Sequence, residues 1–132
     1  MKDDRREGEA LLKRLVPDVS RETLDRLERY VDTLRQWQAV KNLVGPDTLD
    51  HVWTRHVADS AQILKLIPAG ARIVDLGSGA GFPGLVLACC LEGTGAQITL
   101  VESNSRKCAF LRAAARAAGV RVTVVDARIE DA

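Results

Sequence analysis

No apolar run in this chain approaches the roughly 20 residues that a membrane-spanning helix needs, and its charged N-terminus lacks the apolar region of a secretory signal. Both absences predict a cytoplasmic protein without a membrane partner. Cysteine is scarce: Cys89, Cys90 and Cys108 are an odd number without metal-ligand spacing. Neighbouring positions on a helix point about 100° apart, so these three read as buried, reduced thiols, and no metal is expected. An excess of either charge is also missing, since 19 Lys and Arg face 18 Asp and Glu for a net charge of +1. A strong global field is therefore excluded, and any nucleic-acid contact must come from a local patch. Internal repeats and low-complexity tracts are absent. What remains is ordinary globular material, 46% hydrophobic and 28% charged over 132 residues, sized for one domain or slightly less.

The informative stretch is Ile73-Val74-Asp75-Leu76-Gly77-Ser78-Gly79-Ala80-Gly81-Phe82-Pro83-Gly84. It reads as a short apolar strand, a glycine-rich turn and a helix starting at a proline, the arrangement by which an α/β nucleotide-binding protein lets a ligand approach bare backbone. Glu102, 21 residues after Gly81, closes a second strand from Gln97 to Val101. Amides and the positive helix end on one side, with a carboxylate for ribose hydroxyls on the other, frame a site for an adenosine-bearing ligand.

Two ligand classes fit glycines at this spacing. Gly79 to Gly84 satisfies the dinucleotide pattern G-x-G-x-x-G, but that turn needs its first glycine directly after the strand and a helix start open to a pyrophosphate. Here Gly77 already follows the strand, and Phe82 and Pro83 crowd the helix start. Read from Gly77, the pattern is Asp75-x-Gly77-x-Gly79-x-Gly81, which resembles motif I of S-adenosylmethionine-dependent methyltransferases. An acid beside the turn suits a sulfonium, which is cationic and carries no phosphate, and would repel a pyrophosphate. A P-loop is excluded because no Gly-Lys-Ser/Thr follows. An NAD-linked oxidoreductase and a non-catalytic nucleotide- or RNA-binding module remain as alternatives, beside a glycine turn that merely joins strand to helix.

The remaining pattern predicts an α/β fold. Residues 9–16 suggest a short helix ended by Pro17, and Ser20 caps a longer one reaching about Ala39, with Leu24, Leu27, Val31 and Leu34 on its apolar face. After the Lys41 to Pro46 break, Asp47 is expected to cap a third helix to about Leu66, with Leu49, Val52, Trp53, Val57, Ala61 and Leu64 as its buried stripe. His56 and Ser60 fall on that stripe. With Arg55 and Asp59 they are placed to form a polar cluster at the edge of the core, against the simpler reading of a satisfied core histidine beside a surface Arg/Asp pair. From Arg72, strands 73–76, 97–101 and 122–125 alternate with helices 83–91 and 104–118, which implies right-handed crossovers and a parallel sheet. Between Ser103 and Arg121 lie Arg106, Lys107, Arg112, Arg116 and Arg121 and no acid, either a solvated face or a phosphate-contacting one. The organisation expected is an N-terminal helical region, 1–70, and a Rossmann-like βα region, 71–132.

Together, the Trp37 to Leu43 block, His56-Val57-Ala58-Asp59-Ser60, the Asp75 to Gly84 loop, Glu102-Ser103 followed by Arg106-Lys107 and Phe110-Leu111, and Arg128-Ile129-Glu130 resemble the RsmG family, once called GidB. The resemblance runs from about Tyr30 to Asp131. It implies a class I methyltransferase sheet preceded by a helical cap, S-adenosyl-L-methionine as cofactor, and methylation of a guanine N7 in 16S ribosomal RNA, free or in the 30S subunit. It places Gly77, Gly79, Gly81 and Phe82 along the methyl donor, Glu102 on its ribose, and Ile129 and Glu130 against its adenine. Asn42 and the segment holding Arg55, His56, Asp59 and Ser60 would support the pocket or contact the target guanine. Only the first three strands of that sheet are expected here. The later strands carry the pocket's other wall, so the sequence reads as part of a longer protein whose first strand would offer an open edge.

Overall fold

A computed structural model describes residues 2–40 and 42–131. Met1, Ala132, and Lys41 in the break after the second helix lie outside the described residues. Three parallel strands, β1 (Arg72–Leu76), β2 (Gln97–Glu102) and β3 (Thr123–Asp126), pair in the order β1-β2-β3. Leu76 lies opposite Val101, and Val101 opposite Val125, so all three carboxyl ends meet along one rim. Helices α4 (Gly84–Leu91) and α5 (Ser105–Ala118) make the two crossovers. These elements match the expected βαβαβ unit to within a residue or two at each end.

Local chemistry accounts for the ends of α5. Asn104 is its N-cap and accepts the Lys107 amide at 3.1 Å, and Gly119 stops it in the left-handed region at φ +73°. One sheet face is covered: Ile73, Ile98, Leu100 and Val124 join the core with Phe110, Leu111 and Ala114 of α5. On the opposite face Val74 and Leu76 are more than half exposed.

Helix α2 (Arg21–Val40) lies across α5 and α4. The Ser20 hydroxyl accepts the Thr23 amide at 3.1 Å, as its capping role requires, and Leu27, Val31 and Leu34 are fully buried. One continuous core runs from Leu12 and Leu27 through Leu85 to Phe110, so the helical residues before position 70 pack directly on the βα units. The thiols of Cys89 and Cys108 are buried and that of Cys90 half-buried. Burial is the main reason all three sit above the ordinary thiol range, with Cys90 pushed up to about 12.

Two expectations for the N-terminal half need correction. Helix α1 runs from Lys2 to Leu15, well before residue 9. The 46–66 segment is not one α-helix capped by Asp47: it is 3-10 from Pro46 to His51, π-helical from Val52 to Val57, α-helical only in α3 (Ala58–Ala61), and 3-10 again from Gln62 to Leu66. Asp47 makes no cap bond among the described residues. The cap comes from α1, where Asp4 accepts the Trp53 amide at 2.9 Å, the Thr54 amide at 3.2 Å and the Thr54 hydroxyl at 2.6 Å. Gly8 permits the approach, since a Cβ there would sit 2.5 Å from Trp53 Cβ.

Burial alone would raise the Asp4 carboxyl, but the bonds from Thr54 and Trp53 together hold it below its ordinary value. A depressed folded-state value means stabilisation that is complete above about pH 4 and lost as pH falls through the carboxylate range. Asp4→Ala is expected to cost about 2 kcal/mol at pH 7, because the buried Trp53 amide and the half-buried Thr54 amide lose an ionised acceptor. Urea denaturation at pH 7 and pH 3 checks this: the deficit should narrow sharply at the lower pH.

Candidate donor-binding site

The glycine loop leaves the carboxyl end of β1 and turns back on β2. The amides of Gly77 and Ser78 both donate to the Val101 carbonyl, at 2.8 and 3.1 Å, and the Gly81 amide closes on the Ser78 carbonyl at 2.8 Å. The Ala80 and Phe82 amides donate to no group among the described residues. The loop thus has its shape set by its own backbone and leaves the amides of the buried Ala80 and the half-buried Phe82 without a partner among the described residues; unpartnered loop amides of this kind can receive a carboxylate or other anionic end of a ligand.

Two acids bracket these amides. Asp75 Oδ2 accepts the Gly84 amide at 3.0 Å, across the start of α4. Burial raises its carboxyl above the ordinary range; the Gly84 bond pulls the other way, and the nearby charge of Glu102 raises it further. Glu102 is 8% exposed, with Oε1 accepting the Gly79 amide at 2.7 Å and Oε2 the Asn104 amide at 2.9 Å. Each carboxylate oxygen has a second lone pair, so Glu102 can brace the loop and still accept two hydroxyls. Spacing marked Glu102 as an acid near the loop, but its grip on the loop itself was not foreseen.

The chain has five aromatic residues, and four of them converge here. Ring centroids run from His56 to Phe82 at 5.1 Å, Phe82 to Tyr30 at 5.7 Å, Tyr30 to Phe110 at 6.4 Å and Phe110 to Trp37 at 5.7 Å. His56 is therefore brought to the loop through Phe82. The proposed polar cluster does not form: no hydrogen bond or ion pair joins Arg55, His56, Asp59 and Ser60 among the described residues. Arg55 and Asp59 face solvent, whereas Ser60 is buried on the inner side of α3.

Asn42 is exposed and only a distant partner of Gln38 Nε2, at 3.4 Å. The organiser of that turn is Gln38, whose Oε1 accepts the Leu43 and Val44 amides at 2.9 and 3.1 Å. Ile129 and Glu130 sit in a single turn beyond β3, on the same rim as the loop; both are exposed, and Glu130 pairs with Arg128 at 3.4 Å. Arg106, Arg112, Arg116 and Arg121 are exposed, and Lys107 is half-buried. A cleft of about 470 Å³ lined by Leu91, Glu92, Gly95, Gln97 and Arg121 opens at the opposite, amino end of the strands. Ligands of open parallel sheets bind beyond the carboxyl ends, which makes the loop rim the candidate site. No described helix is long and apolar enough to cross a membrane, and no described cluster of three His, Cys, Asp or Glu could hold a metal ion.

A free-amide glycine loop flanked by two acids narrows the ligand class, and sequence comparison gives the family. The model for rRNA small subunit methyltransferase G matches residues 23–132. The chain belongs to that family. A protein of that name from Paramagnetospirillum magneticum is 60% identical over 114 residues, which cover 85% of this chain and 54% of the relative. Relatives of the same name from Methylorubrum populi and Rhodopseudomonas palustris are 58% and 57% identical over 114 and 119 residues. These alignments cover 86% and 89% of this chain but only 54% and 50% of the relatives. The chain thus spans about half the length of the curated relatives it matches. Helix α1 precedes the family match, so its Asp4 cap lies outside the part of the chain that the family model covers.

Proposed function

We propose that the protein takes part in transfer of a methyl group from S-adenosylmethionine to a guanine N7 of 16S ribosomal RNA; its relatives are named as methyltransferases of small-subunit ribosomal RNA. The observation that carries the reading is the pairing of two free loop amides, at Ala80 and Phe82, with two carboxylates, at Asp75 and Glu102. The donor presents a carboxylate, cationic ammonium and sulfonium groups and a ribose diol, which complement such a rim. A pyrophosphate would meet two like charges there, which counts against NAD.

In this reading Gly77, Gly79, Gly81 and Phe82 line the donor, Glu102 accepts the ribose hydroxyls, and Ile129 and Glu130 flank the adenine. His56, whose ring packs at a tilt against Phe82, supports the pocket from the helical side; Asn42, Arg55, Asp59 and Ser60 belong to that same cap. The exposed arginines of α5 are candidates for phosphate contact. The workplace would be the cytoplasm, where ribosomal subunits are assembled.

The donor supplies an electrophilic methyl on a sulfonium, and guanine N7 carries a free lone pair. No proton has to leave the acceptor, so no residue is assigned as a base. The residues of this chain contribute positioning: the loop amides and Glu102 fix the donor's two ends, and alignment of this kind is worth several kcal/mol. His56→Ala is expected to lower turnover only a few-fold, since it supports the loop through a ring contact worth about 1 kcal/mol. Transfer of labelled methyl to 30S subunits and to naked 16S RNA tests the whole reading. Binding of NAD but not of S-adenosylhomocysteine would reject it, and donor binding without transfer would favour a non-catalytic module.

A further inference from the structure

Tyr30 is the only tyrosine of the chain, and on α2 it is fully buried. Its hydroxyl donates a 2.6 Å hydrogen bond to the Ala80 carbonyl, 50 positions away at the crown of the glycine loop. Phe82 and Phe110 pack against its ring. A phenylalanine would fill the same space and need no polar partner. The particular contribution of the hydroxyl is therefore what it does to Ala80.

Two features make that bond matter to the loop. Gly81 takes φ +98°, and a Cβ there would lie 3.0 Å from the Tyr30 hydroxyl oxygen and 2.8 Å from Leu85 Cδ1. Tyr30 thus packs against the very residue at which the loop bends. The free amides of Ala80 and Phe82 lie on either side of the held carbonyl, so pinning that peptide constrains where both N–H groups point. Burial also raises the phenol's ionisation well above the ordinary tyrosine range, and nearby Cys89 and Asp75 act in the same direction, which keeps the proton in place.

We propose that Tyr30 is a positioning residue for donor binding: through its hydroxyl the N-terminal helical layer holds the Ala80 peptide, and so aims the loop amides at the carboxylate of the donor's amino-acid end. The inference rests on the donor reading above. Tyr30 does not touch the ligand in this account; it acts through Ala80.

Tyr30→Phe keeps the ring and removes only the hydroxyl. In the purified full-length protein, calorimetry with S-adenosylhomocysteine should show affinity falling about tenfold, as for loss of one well-made hydrogen bond. Leu12→Ala, on α1, is the control, lowering the melting temperature while leaving affinity unchanged. A tyrosine with a merely structural role would behave like that control. Site-specific incorporation of 3-fluorotyrosine at position 30 of the full-length protein yields a single fluorine resonance, expected to move on saturation with S-adenosylhomocysteine; this readout decides the matter even if Tyr30→Phe does not fold. Unchanged affinity in Tyr30→Phe, or a stationary fluorine resonance while the wild type binds, overturns this inference and leaves the donor reading standing. A wild type with no affinity for S-adenosylhomocysteine overturns both.

Discussion

Glu102→Ala is expected to weaken donor binding by at least about 100-fold and to destabilise the fold by about 2 kcal/mol at the same time. The second effect follows directly from the structure. The carboxylate accepts the Gly79 amide at 2.7 Å and the Asn104 amide at 2.9 Å from a position only 8% exposed, so water cannot readily replace it. In the donor reading proposed above, the first follows from removing the acceptor for the ribose hydroxyls while slackening the loop. Glu102→Gln separates the two: its amide oxygen can still take the Gly79 N–H, but its NH2 then faces the Asn104 N–H, donor against donor. Partial recovery of stability with persistently weak binding is the expected result. Calorimetry with S-adenosylhomocysteine and urea denaturation on both variants measure it, and wild-type affinity in Glu102→Ala would reduce Glu102 to a strut of the loop.

Gly84→Ala should be strongly damaging although it adds a single methyl group. Gly84 opens α4 directly over the sheet, and an added Cβ would overlap Leu100 Cδ2 and come within 2.6 Å of Asp75 Oδ2. Leu100 is fully buried and cannot retreat. Overpacking of this kind costs about 1–3 kcal/mol, and displacing Asp75 also breaks its 3.0 Å bond to the Gly84 amide, a further cost of about 1 kcal/mol. A fall in melting temperature of about 10 °C is expected for a chain of this size. Gly45→Ala is the matched control, because a Cβ there meets only Thr48 Oγ1 at 3.7 Å. Equal melting temperatures for the two variants would contradict the packing described for α4.

Much of the βα half was readable because its signals are local. A strand followed by Gly77, Gly79 and Gly81, the helix spanning about 104–118, and the spacing to Glu102 each depend on neighbours a few residues away or on a short periodic pattern. The Ser20 cap of α2 belongs with them. Helix α1 was half missed for a related reason. Its inward positions are Asp4, Gly8 and Leu12, four apart as a helix requires, but only one of the three is apolar, so no hydrophobic stripe announces the first two turns. The broken helicity of 46–66 was equally hidden, since its sequence carries an ordinary apolar stripe and its amides at Trp53 and Thr54 are claimed by Asp4, about 50 residues upstream.

From composition and spacing came the fold class, the glycine turn and the acid beside it. The partners came from packing: Tyr30 on Ala80, Asp4 on Trp53, Glu102 on Gly79, His56 on Phe82, and the separation of Arg55 and Asp59 from Ser60. The reason is physical. A hydroxyl or carboxylate can be satisfied by any suitably placed backbone group, and which group is placed there depends on how helices and strands far apart in the chain stack, information that no local pattern of residue types contains.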